Sequence, residues 1–354
     1  MNHLKARERV TYAIRAMVAH ALYYMGILHL LQRVILRRRA VVLMYHRVLS
    51  PEQRRQTASH PGLVVECATF ARQVALLKRR FTVLTLDEFE QRLVSRTPFT
   101  NSCCLITFDD GWIDNYSNAL PVLRAKGLPA AIFLPVNFIG NRRLFTREAL
   151  THLLVRAVMT ARREPARAPA LRERLAAVGL ESALEIRDED PRHATLTLMQ
   201  TFKFASGPQF ESLVAALSSE FAVTDAELSE LDTFIDWEQV EAMSRARVTF
   251  GGHGAEHRVL TQTTAEVVQH EVESCKTTLD KRLSAPAQAF AYPGGGWNAA
   301  IAETVKRAGY RLAFTIEPGY VSCEDDRFAL RRVNIHEGMT RSTPMFMARL
   351  VGLF

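Results

Sequence analysis

The chain has 354 residues, of which 48% are hydrophobic and 23% charged, and this composition excludes a disordered, collagen-like or small disulfide-rich protein. The net charge is +8, and almost all of it arises from residues 1–39. A nucleic-acid-binding body spreads its basic residues over a face or a groove, so this distribution argues against a nucleic-acid partner. The five cysteines are odd in number and form no CxxC pair, which argues against a disulfide framework and a thiolate zinc site.

Residues 1–39 predict a basic amphipathic helix that precedes a globular body. Residues 16–32 carry no formal charge between Arg15 and Arg33, but as a helix they span only about 25 Å, which is marginal for a bilayer. On a helical wheel, several basic residues share one narrow stripe of a mostly apolar helix. We therefore expect contact with the surface of an anionic membrane. Ordinary packing on the body, and a spanning segment or signal peptide, are the alternatives.

The rest of the chain, residues 40–354, alternates short apolar runs with helical patterns. The predicted strands are Ala40–Tyr45, Phe81–Leu86, Cys103–Phe108, Ala130–Pro135, Val248–Gly251, Ala287–Tyr292, Arg311–Ile316 and a last one near Leu330–Ile335. The predicted helices include Thr69–Arg80, Ala119–Lys126, Asp236–Ser244, Thr263–Leu283 and Ala299–Ala308, with capping boxes at Asp236/Gln239 and Thr263/Glu266. This alternation predicts a parallel sheet covered by helices, and its seven or eight units predict a (β/α) barrel.

One stretch interrupts the alternation. Residues 141–235 are polar and helical in pattern, rich in Arg, Ala, Glu and Leu. We interpret them as a helical insertion within the barrel domain 40–354. Pro165 and Pro169 lie in an Arg/Ala-rich patch of this insertion, which we expect to be a loop.

Four polar motifs follow predicted strands, and these motifs are the candidates for chemistry. They are Met44–Arg47 (MYHR), Thr107–Trp112 (TFDDGW), His253–His257 (HGAEH) and Ala291–Trp297 (AYPGGGW). Because the carboxyl ends of parallel strands meet at one end of a barrel, we expect these motifs to lie together. Each motif alone is more often a turn or a structural residue, whereas the four in this order are far more specific.

The second and third motifs together predict a metal site. Burying the adjacent carboxylates of Asp109 and Asp110 is costly, and a divalent cation relieves that cost. His253 and His257 are four residues apart and can face one ion. One Asp with two His leaves an open coordination position, as in catalytic sites, and the second Asp is then free to act as a general base on a water.

The same motifs resemble those of polysaccharide deacetylases with the NodB homology domain, the fourth carbohydrate esterase family. The resemblance covers roughly residues 40–140 and 236–340. It is carried by TFDDG at Thr107–Gly111 and HGAEH at His253–His257, with support from MYHRV at Met44–Val48 and AYPG at Ala291–Gly294. It implies a distorted (β/α) barrel of about seven strands, one divalent metal ion, usually zinc, and the hydrolysis of an acetyl group on a sugar with release of acetate.

The resemblance also implies roles for individual residues. Asp109 would be the general base, and Asp110, His253 and His257 would be the metal ligands. His46 would be the general acid, with His336 as the competing candidate. Independently of the resemblance, the aromatic residues that flank the site are candidates for substrate binding, because aromatic rings stack on sugar faces: Trp112, Tyr292 and Trp297. We interpret Trp297 as a candidate sugar platform, with core packing as the alternative, and the Tyr292 backbone N–H as a candidate oxyanion donor.

Two positions depart from the family pattern. Gly254 stands where the family usually has Ser or Thr, and we expect the lost hydroxyl to loosen the metal loop. Ala291 stands where the family has an Arg that orients the base. Arg331 or Arg332, just after a predicted strand, is the candidate substitute.

The basic N-terminal segment also guides the expected substrate and location. We expect an acetylated polysaccharide or lipid-linked glycan, and a location in the cytoplasm or on the inner face of the cell membrane, with the periplasm less favoured. Three other functions compete: a non-catalytic carbohydrate-binding protein on the same fold, an amide hydrolase with a non-sugar substrate, and a membrane scaffold in glycan synthesis.

Overall fold

A curled, mostly parallel sheet forms the centre of this computed structural model, which describes residues 2–202, 208–228 and 232–354. Its main strands run side by side in the order β1-β5-β6-β7-β8-β9, each parallel to the next. The strands of the described residues are β1 (Arg39–Tyr45), β2 (Arg47–Leu49), β3 (Val64–Glu66), β4 (Thr82–Val83), β5 (Cys103–Asp109), β6 (Ala130–Leu134), β7 (Val248–Gly252), β8 (Ala289–Ala291), β9 (Leu312–Phe314), β10 (Val321–Ser322) and β11 (Val333–Asn334).

The two ends of this curled sheet approach each other. Leu330 bridges to Phe314 of β9, and three residues later β11 pairs in parallel with β1 through Leu43↔Val333. The sheet is a half-barrel of seven strands, and the short segment from Leu330 to β11 connects its two edges. This architecture confirms the predicted distorted barrel. Every residue of β5 and β6 is buried, as expected for strands covered on both faces.

Helices cover the outside of the sheet. Asp236 and Gln239 form the predicted capping box of α12, whereas α13 is capped by Thr264 rather than Thr263, since the Thr264 hydroxyl accepts from Val267 N–H. The helices are α1 (Asn2–Tyr24), α2 (Ile27–Ile35), α3 (Pro51–Gln56), α4 (Cys67–Arg80), α5 (Leu86–Val94), α6 (Leu120–Lys126), α7 (Thr146–Arg163), α8 (Ala168–Ala176), α9 (Pro191–Phe202), α10 (Pro208–Phe221), α11 (Asp225–Leu228), α12 (Trp237–Ser244), α13 (Ala265–Arg282), α14 (Ala299–Arg307), α15 (Glu337–Thr340) and α16 (Thr343–Leu350).

The N-terminal segment is helical, but it forms two helices rather than the predicted single one. Gly26 adopts the left-handed conformation at φ 77°, and α1 and α2 meet there at an angle of 85°. This bend means that the basic residues do not share one continuous stripe. Within the described residues, neither helix alone is long and apolar enough to cross a bilayer, although residues 10–24 and 27–35 together meet that criterion by length and composition.

Between β6 and β7 the chain forms helices α7 to α11, and residues 203–207 and 229–231 of this stretch lie outside the described residues. The expected loop around Pro165 and Pro169 is instead largely helical. Pro165 opens a 3₁₀ turn and Pro169 lies in the first turn of α8, where a missing N–H leaves no hydrogen bond unmade.

A buried ion-pair network ties this helical stretch to the barrel. The Arg47 guanidinium, fully buried, donates to Asp114 at 2.7 Å and to Asp232 at 2.6 Å. Asp232 lies beyond α11 and also accepts from the Thr57 hydroxyl. Because Arg47 pairs with both carboxylates, its loss would leave Asp114 without its cation and Asp232 with only the His152 imidazole, at 3.3 Å, beside it.

Candidate active site

Asp109 and Asp110 are adjacent, yet their side chains serve two different clusters. Asp109 is the last residue of β5, and Asp110 has a left-handed backbone at φ 75°, followed by Gly111 at φ 68°. A non-glycine residue in this conformation is strained, and such strain is commonly found at functional sites. The turn separates the two carboxylates, so that one meets an arginine and the other meets two histidines.

Asp110, His253 and His257 form a cluster whose potential ligand atoms all lie within 4.8 Å of one another. The Asp110 Oδ1 atom is 3.5 Å from Nε2 of His253 and 3.3 Å from Nε2 of His257. Ligands bonded at about 2.0–2.1 Å in a tetrahedral arrangement would be separated by about 3.3 Å. Both distances are therefore compatible with three ligands of one tetrahedrally coordinated cation.

The donor atoms of this cluster are also prepared for a cation. The His253 Nδ1–H donates to the Ala291 carbonyl at 2.7 Å, which leaves Nε2 free to act as a ligand. Asp110 Oδ1 is buried and has no hydrogen-bond partner, while Oδ2 accepts from the Trp112 indole N–H at 2.9 Å. A buried carboxylate oxygen without a partner is costly, and a divalent cation would satisfy it. These residues fit the metal that the motifs predict.

The charges around Asp110 favour its ionised form. Burial alone would raise the pKa of Asp110, but the two imidazoles hold it well below its usual value. Burial lowers the pKa of His257 and outweighs the effect of Asp110. Burial also acts to lower the pKa of His253, but there contact with Asp110 and the charges of Asp109 and Asp110 prevail and raise it. A divalent cation requires an ionised Asp110 and two neutral imidazoles, so it would compete with a proton at His253.

Asp109 is held by Arg332 rather than by either histidine of the cluster. Arg332 donates from Nη1 and Nη2 to the two carboxylate oxygens of Asp109, both at 2.7 Å, and its Nε–H donates to the Thr315 carbonyl. Burial alone would raise the pKa of Asp109, but the Arg332 guanidinium holds it below the usual value. Of the two substitutes that the sequence left open for the missing family arginine, Arg332 is the one that contacts Asp109. Arg331 instead lies 3.9 Å from Glu317 and is exposed.

His46 lies on the other side of Asp109. Its Nε2 atom is 3.9 Å from Asp109 Oδ2, and its Nδ1 atom is buried without a hydrogen-bond partner. The His46 carbonyl accepts from Asn115, which fixes the backbone at the end of β1. Burial lowers the pKa of His46, although Asp110 and Asp109 oppose that effect.

His336, the competing candidate acid, has a different environment. Its pKa is lowered to about 4 by burial, with further lowering by Arg349 and His60. Its backbone carbonyl caps α15 by accepting from Thr340. The structure therefore brings His46, and not His336, into ion-pair distance of Asp109.

The metal loop is held by a residue that the sequence did not single out. The buried Glu271 carboxylate of α13 accepts from the backbone N–H groups of Ala255 and Glu256 at 2.9 to 3.2 Å. The expected loosening at Gly254 stays a prediction, and the Glu271 carboxylate is the group that fixes the loop in this structure. Gly254 has φ 79°, and a Cβ atom there would lie 2.7 Å from a Glu271 carboxylate oxygen, so a Ser or Thr would be strained and would displace Glu271 from this position.

Aromatic residues pack around the cluster. Phe145, just before α7, stacks on the His257 ring with a centroid distance of 4.2 Å. Trp112 is fully buried between Phe234 on one face and the Arg47 guanidinium. The predicted sugar-stacking role of Trp112 is therefore not supported, because its faces are covered and its N–H is used to orient Asp110.

The fourth motif, Ala291–Trp297, begins at the end of β8, and its two aromatic residues have different surroundings. The Tyr292 backbone N–H donates to the Phe314 carbonyl at 3.0 Å, and its hydroxyl donates to the Phe328 carbonyl. Tyr292 is fully buried, so neither the expected oxyanion role of its N–H nor a sugar-stacking role is supported. Trp297 is half-buried against the Tyr292 ring and donates to Glu317 at 3.1 Å, and its role as a sugar platform stays a prediction.

The half-barrel and the cluster of Asp110, His253 and His257 together fit the class of protein that the motifs resemble, the polysaccharide deacetylases. Comparisons with known proteins agree with this class. The family model for polysaccharide deacetylases matches residues 96–181 and 203–313, which is more than half of the chain. The chain belongs to the polysaccharide deacetylase family.

Individual relatives are distant. YxkH of Bacillus subtilis (strain 168), named as a candidate polysaccharide deacetylase, is 21% identical over 262 residues, which cover 74% of this chain and 62% of that protein. The chain therefore spans less than two thirds of the length of that relative. Among solved structures, the deacetylase PplD of Streptococcus pyogenes and IcaB of Ammonifex degensii each have a TM-score of 0.56 and 18% identity; the alignments cover 88% and 90% of this chain, and 98% and 99% of theirs. At this identity the likeness supports the fold.

Proposed function

We propose that the protein is a metal-dependent hydrolase that removes an N-acetyl group from a sugar of a surface or lipid-linked polysaccharide and releases acetate. The observation that carries the proposal is the placement of two clusters side by side. The candidate cation-binding set is Asp110, His253 and His257, and Asp109 lies next to it in the chain. Asp109 is an ionised carboxylate that pairs with Arg332 and not with either histidine of the set.

In the proposed reaction, Asp109, Arg332 and His46 act beside one ion that Asp110, His253 and His257 would hold. When bound at the Asp110 cluster, a divalent cation, with zinc expected, supplies Lewis acidity toward an acetamide carbonyl and lowers the pKa of a water. Asp109 accepts the proton of the attacking water, and Arg332 keeps Asp109 ionised and oriented for that step. His46 donates a proton to the departing sugar amine, so that the C–N bond breaks and acetate leaves.

The proposed substrate is presented at a membrane. The support is the concentration of positive charge in residues 1–39 and the exposure of large apolar side chains on α1 and α2. We further propose a location on the inner face of the cell membrane, where anionic lipids attract basic segments.

Metal stoichiometry tests the proposal first. Purified protein should contain about one divalent ion per chain, and Asp110→Ala and His257→Ala should each lose it. Asp109→Asn should keep the ion and lose acetate release from N-acetylated oligosaccharides. Absence of a metal in all four proteins after incubation with zinc would reject the hydrolase and favour a carbohydrate-binding protein on the same fold.

The substrate class is tested by measuring acetate release from N-acetylated sugars and from non-sugar acetamides. Sugars that carry N-acetyl groups should be cleaved, while simple non-sugar acetamides should not. Equal cleavage of both would favour the alternative of a general amide hydrolase.

A further inference from the structure

The N-terminal helix pair exposes an unusual amount of apolar surface. Of the fourteen large apolar side chains that the described residues expose, ten lie between residues 10 and 34. In α1 the spacing of Val10, Ile14 and Met17 places them on one side, and in α2 Leu30 and Val34 do the same; the exposed fractions of all five are between 52% and 66%. We call these five residues the apolar face. Exposed large apolar side chains concentrated in one segment in this way indicate a binding surface.

A cationic groove runs beside this face. It has a volume of about 730 Å³ and lies between α1, α4 and the start of α16. Tyr12 and Tyr24 of α1 line the groove and are themselves exposed, so the groove and part of the apolar face lie on the same helix. The opposite wall carries three guanidinium groups, from Arg72, Arg79 and Arg341. We call this feature the arginine groove.

The charge of the arginine groove is only partly neutralised. Arg72 donates to the Thr69 hydroxyl and to the Arg341 carbonyl, both of which are neutral. Arg341 lies 3.8 Å from the buried Glu337 carboxylate, and no carboxylate partner of Arg79 occurs among the described side chains. Three cations therefore face one anion.

Further cations surround the break between α1 and α2. Burial lowers the pKa of His29, and Arg80, Arg79 and Arg33 lower it further, which reflects how closely these guanidinium groups gather there. Gln32 of α2 donates to the Arg80 carbonyl and fixes α2 against the end of α4. The helix pair thus presents apolar side chains with a rim of positive charge.

We propose that the arginine groove binds the phosphate of an anionic phospholipid headgroup while the apolar face enters the same leaflet. Charge complementarity supports this occupant, and so does the placement of the groove and part of the apolar face on the same helix, α1. A guanidinium matches phosphate oxygens, and tyrosines suit the boundary between headgroups and acyl chains. Nucleic acid would match the cations but not the apolar face. The inference deepens the proposed function, because it specifies the surface on which the glycan substrate would be met.

Vesicle binding of the full chain tests the proposal. Vesicles of phosphatidylcholine with phosphatidylglycerol should bind the protein, and vesicles of phosphatidylcholine alone should bind it far more weakly. The triple variant Arg72→Gln/Arg79→Gln/Arg341→Gln should lose roughly tenfold or more of its binding to the anionic vesicles, given the attraction of each basic residue to an anionic surface. A matched variant, Arg124→Gln/Lys126→Gln/Arg307→Gln, removes the same charge from exposed sites elsewhere and should bind like wild type.

Two further variants separate an effect on vesicle binding from an effect on folding and test the apolar face by itself. Arg79→Gln alone changes an exposed side chain and should weaken binding without affecting folding, and Met17→Ser/Leu30→Ser should weaken binding to both kinds of vesicle. Equal binding of the arginine-groove variant and its matched control would overturn the proposal, as would equal binding of wild type to neutral and anionic vesicles. Acetate release from a soluble oligosaccharide should be unchanged in all of these variants. If wild type releases no acetate yet binds anionic vesicles, the proposed function fails while the groove stands.

Discussion

Asp109 and Arg332 are 223 residues apart in the chain, yet they form a buried, two-point ion pair with both distances at 2.7 Å. Arg332 is fully buried, and its Nε–H is held by the Thr315 carbonyl. The pair therefore fixes the charge and the orientation of Asp109 at the end of β5. Two-point pairing of this kind is among the stronger polar contacts in proteins.

Removal of Arg332 should change how activity depends on pH. Without the guanidinium, burial dominates, so the pKa of Asp109 should rise above its usual value. A base must be ionised to act, so the acidic limb of the kcat/KM profile should move to higher pH by about one unit or more in Arg332→Met, and by less in Arg332→Lys, which keeps a cation beside Asp109. Acetate release across pH measures this shift.

Arg331→Met provides the matched control for that experiment. Arg331 is the exposed neighbour of Arg332 and lies against Glu317, so its loss should leave the profile unchanged. A profile for Arg332→Met that coincides with wild type would contradict the proposed role of the pair. Circular dichroism should accompany the assay, since breaking a buried pair costs about 3–5 kcal/mol.

The two histidine candidates for the general acid can be separated by substitution. His46 has the carboxylates of Asp109 and Asp110 near it, whereas the groups that shift His336 all lower its pKa. We expect His46→Gln to reduce kcat by about 10²- to 10⁴-fold and His336→Gln to change it by less than about threefold. Steady-state kinetics would decide, and the reverse pattern would transfer the role to His336. Metal content should stay at the wild-type level in both variants.

Restoring the usual family residue at Gly254 should be harmful here. Gly254→Ser would add a Cβ atom 2.7 Å from Glu271 and would force a serine into φ 79°. We expect metal affinity to fall by about tenfold or more, because groups that orient ligands commonly contribute that much. Competition with a metal chelator gives the measurement.

Gly127→Ser is the control for the strain of a positive φ. Gly127 has φ 61°, and no atom lies within 4 Å of the place that a Cβ atom would take. A serine there would therefore carry the strain of a positive φ but would contact no neighbouring side chain. This variant should lose some stability and keep its metal affinity. Equal metal affinity in Gly254→Ser and wild type would show that Glu271 is not needed to hold the loop.

Glu148 of α7 should make the stability of the metal-free protein depend on pH. Burial raises its pKa to about 7, with added effects from the nearby Asp232 and Asp110 and opposition from Arg147. The folded state then holds a proton that the unfolded state releases above about pH 4.3, so stability falls as pH rises from there to about 7. Glu148→Gln removes this penalty and should be about 3–4 kcal/mol more stable than wild type above pH 7.

Urea unfolding at acidic and at mildly alkaline pH measures this effect. Below about pH 4.3 the wild-type carboxyl is neutral in both states, so the advantage of Glu148→Gln should vanish. Glu173→Gln, an exposed carboxylate on α8, should show the same small difference at both values. A constant difference for Glu148→Gln would mean that Glu148 is ionised in the folded state.

Much of the architecture could be read from local pattern. The near-continuous apolar run Cys103–Phe108 predicted a buried parallel strand, and the structure has that strand as Cys103–Asp109. The predicted strands Phe81–Leu86 and Leu330–Ile335 are shorter in the structure, as Thr82–Val83 and Val333–Asn334. The ends of helices followed from capping, as at Asp236 and Gln239. These features depend on neighbours in the sequence, so a single sequence is enough to predict them. The N-terminal bend was not predicted, because a glycine in an apolar run does not by itself reveal a left-handed conformation.

The sequence by itself determined the chemical types at the site: two carboxylates after β5 and two histidines four residues apart. Only the tertiary structure decided which groups meet them. The choice of Arg332 over Arg331, the support of the metal loop by Glu271 and the burial of Trp112 all depend on contacts between segments far apart in the chain. Residue spacing carries no information about such contacts, because they are set by how strands and helices pack around the sheet.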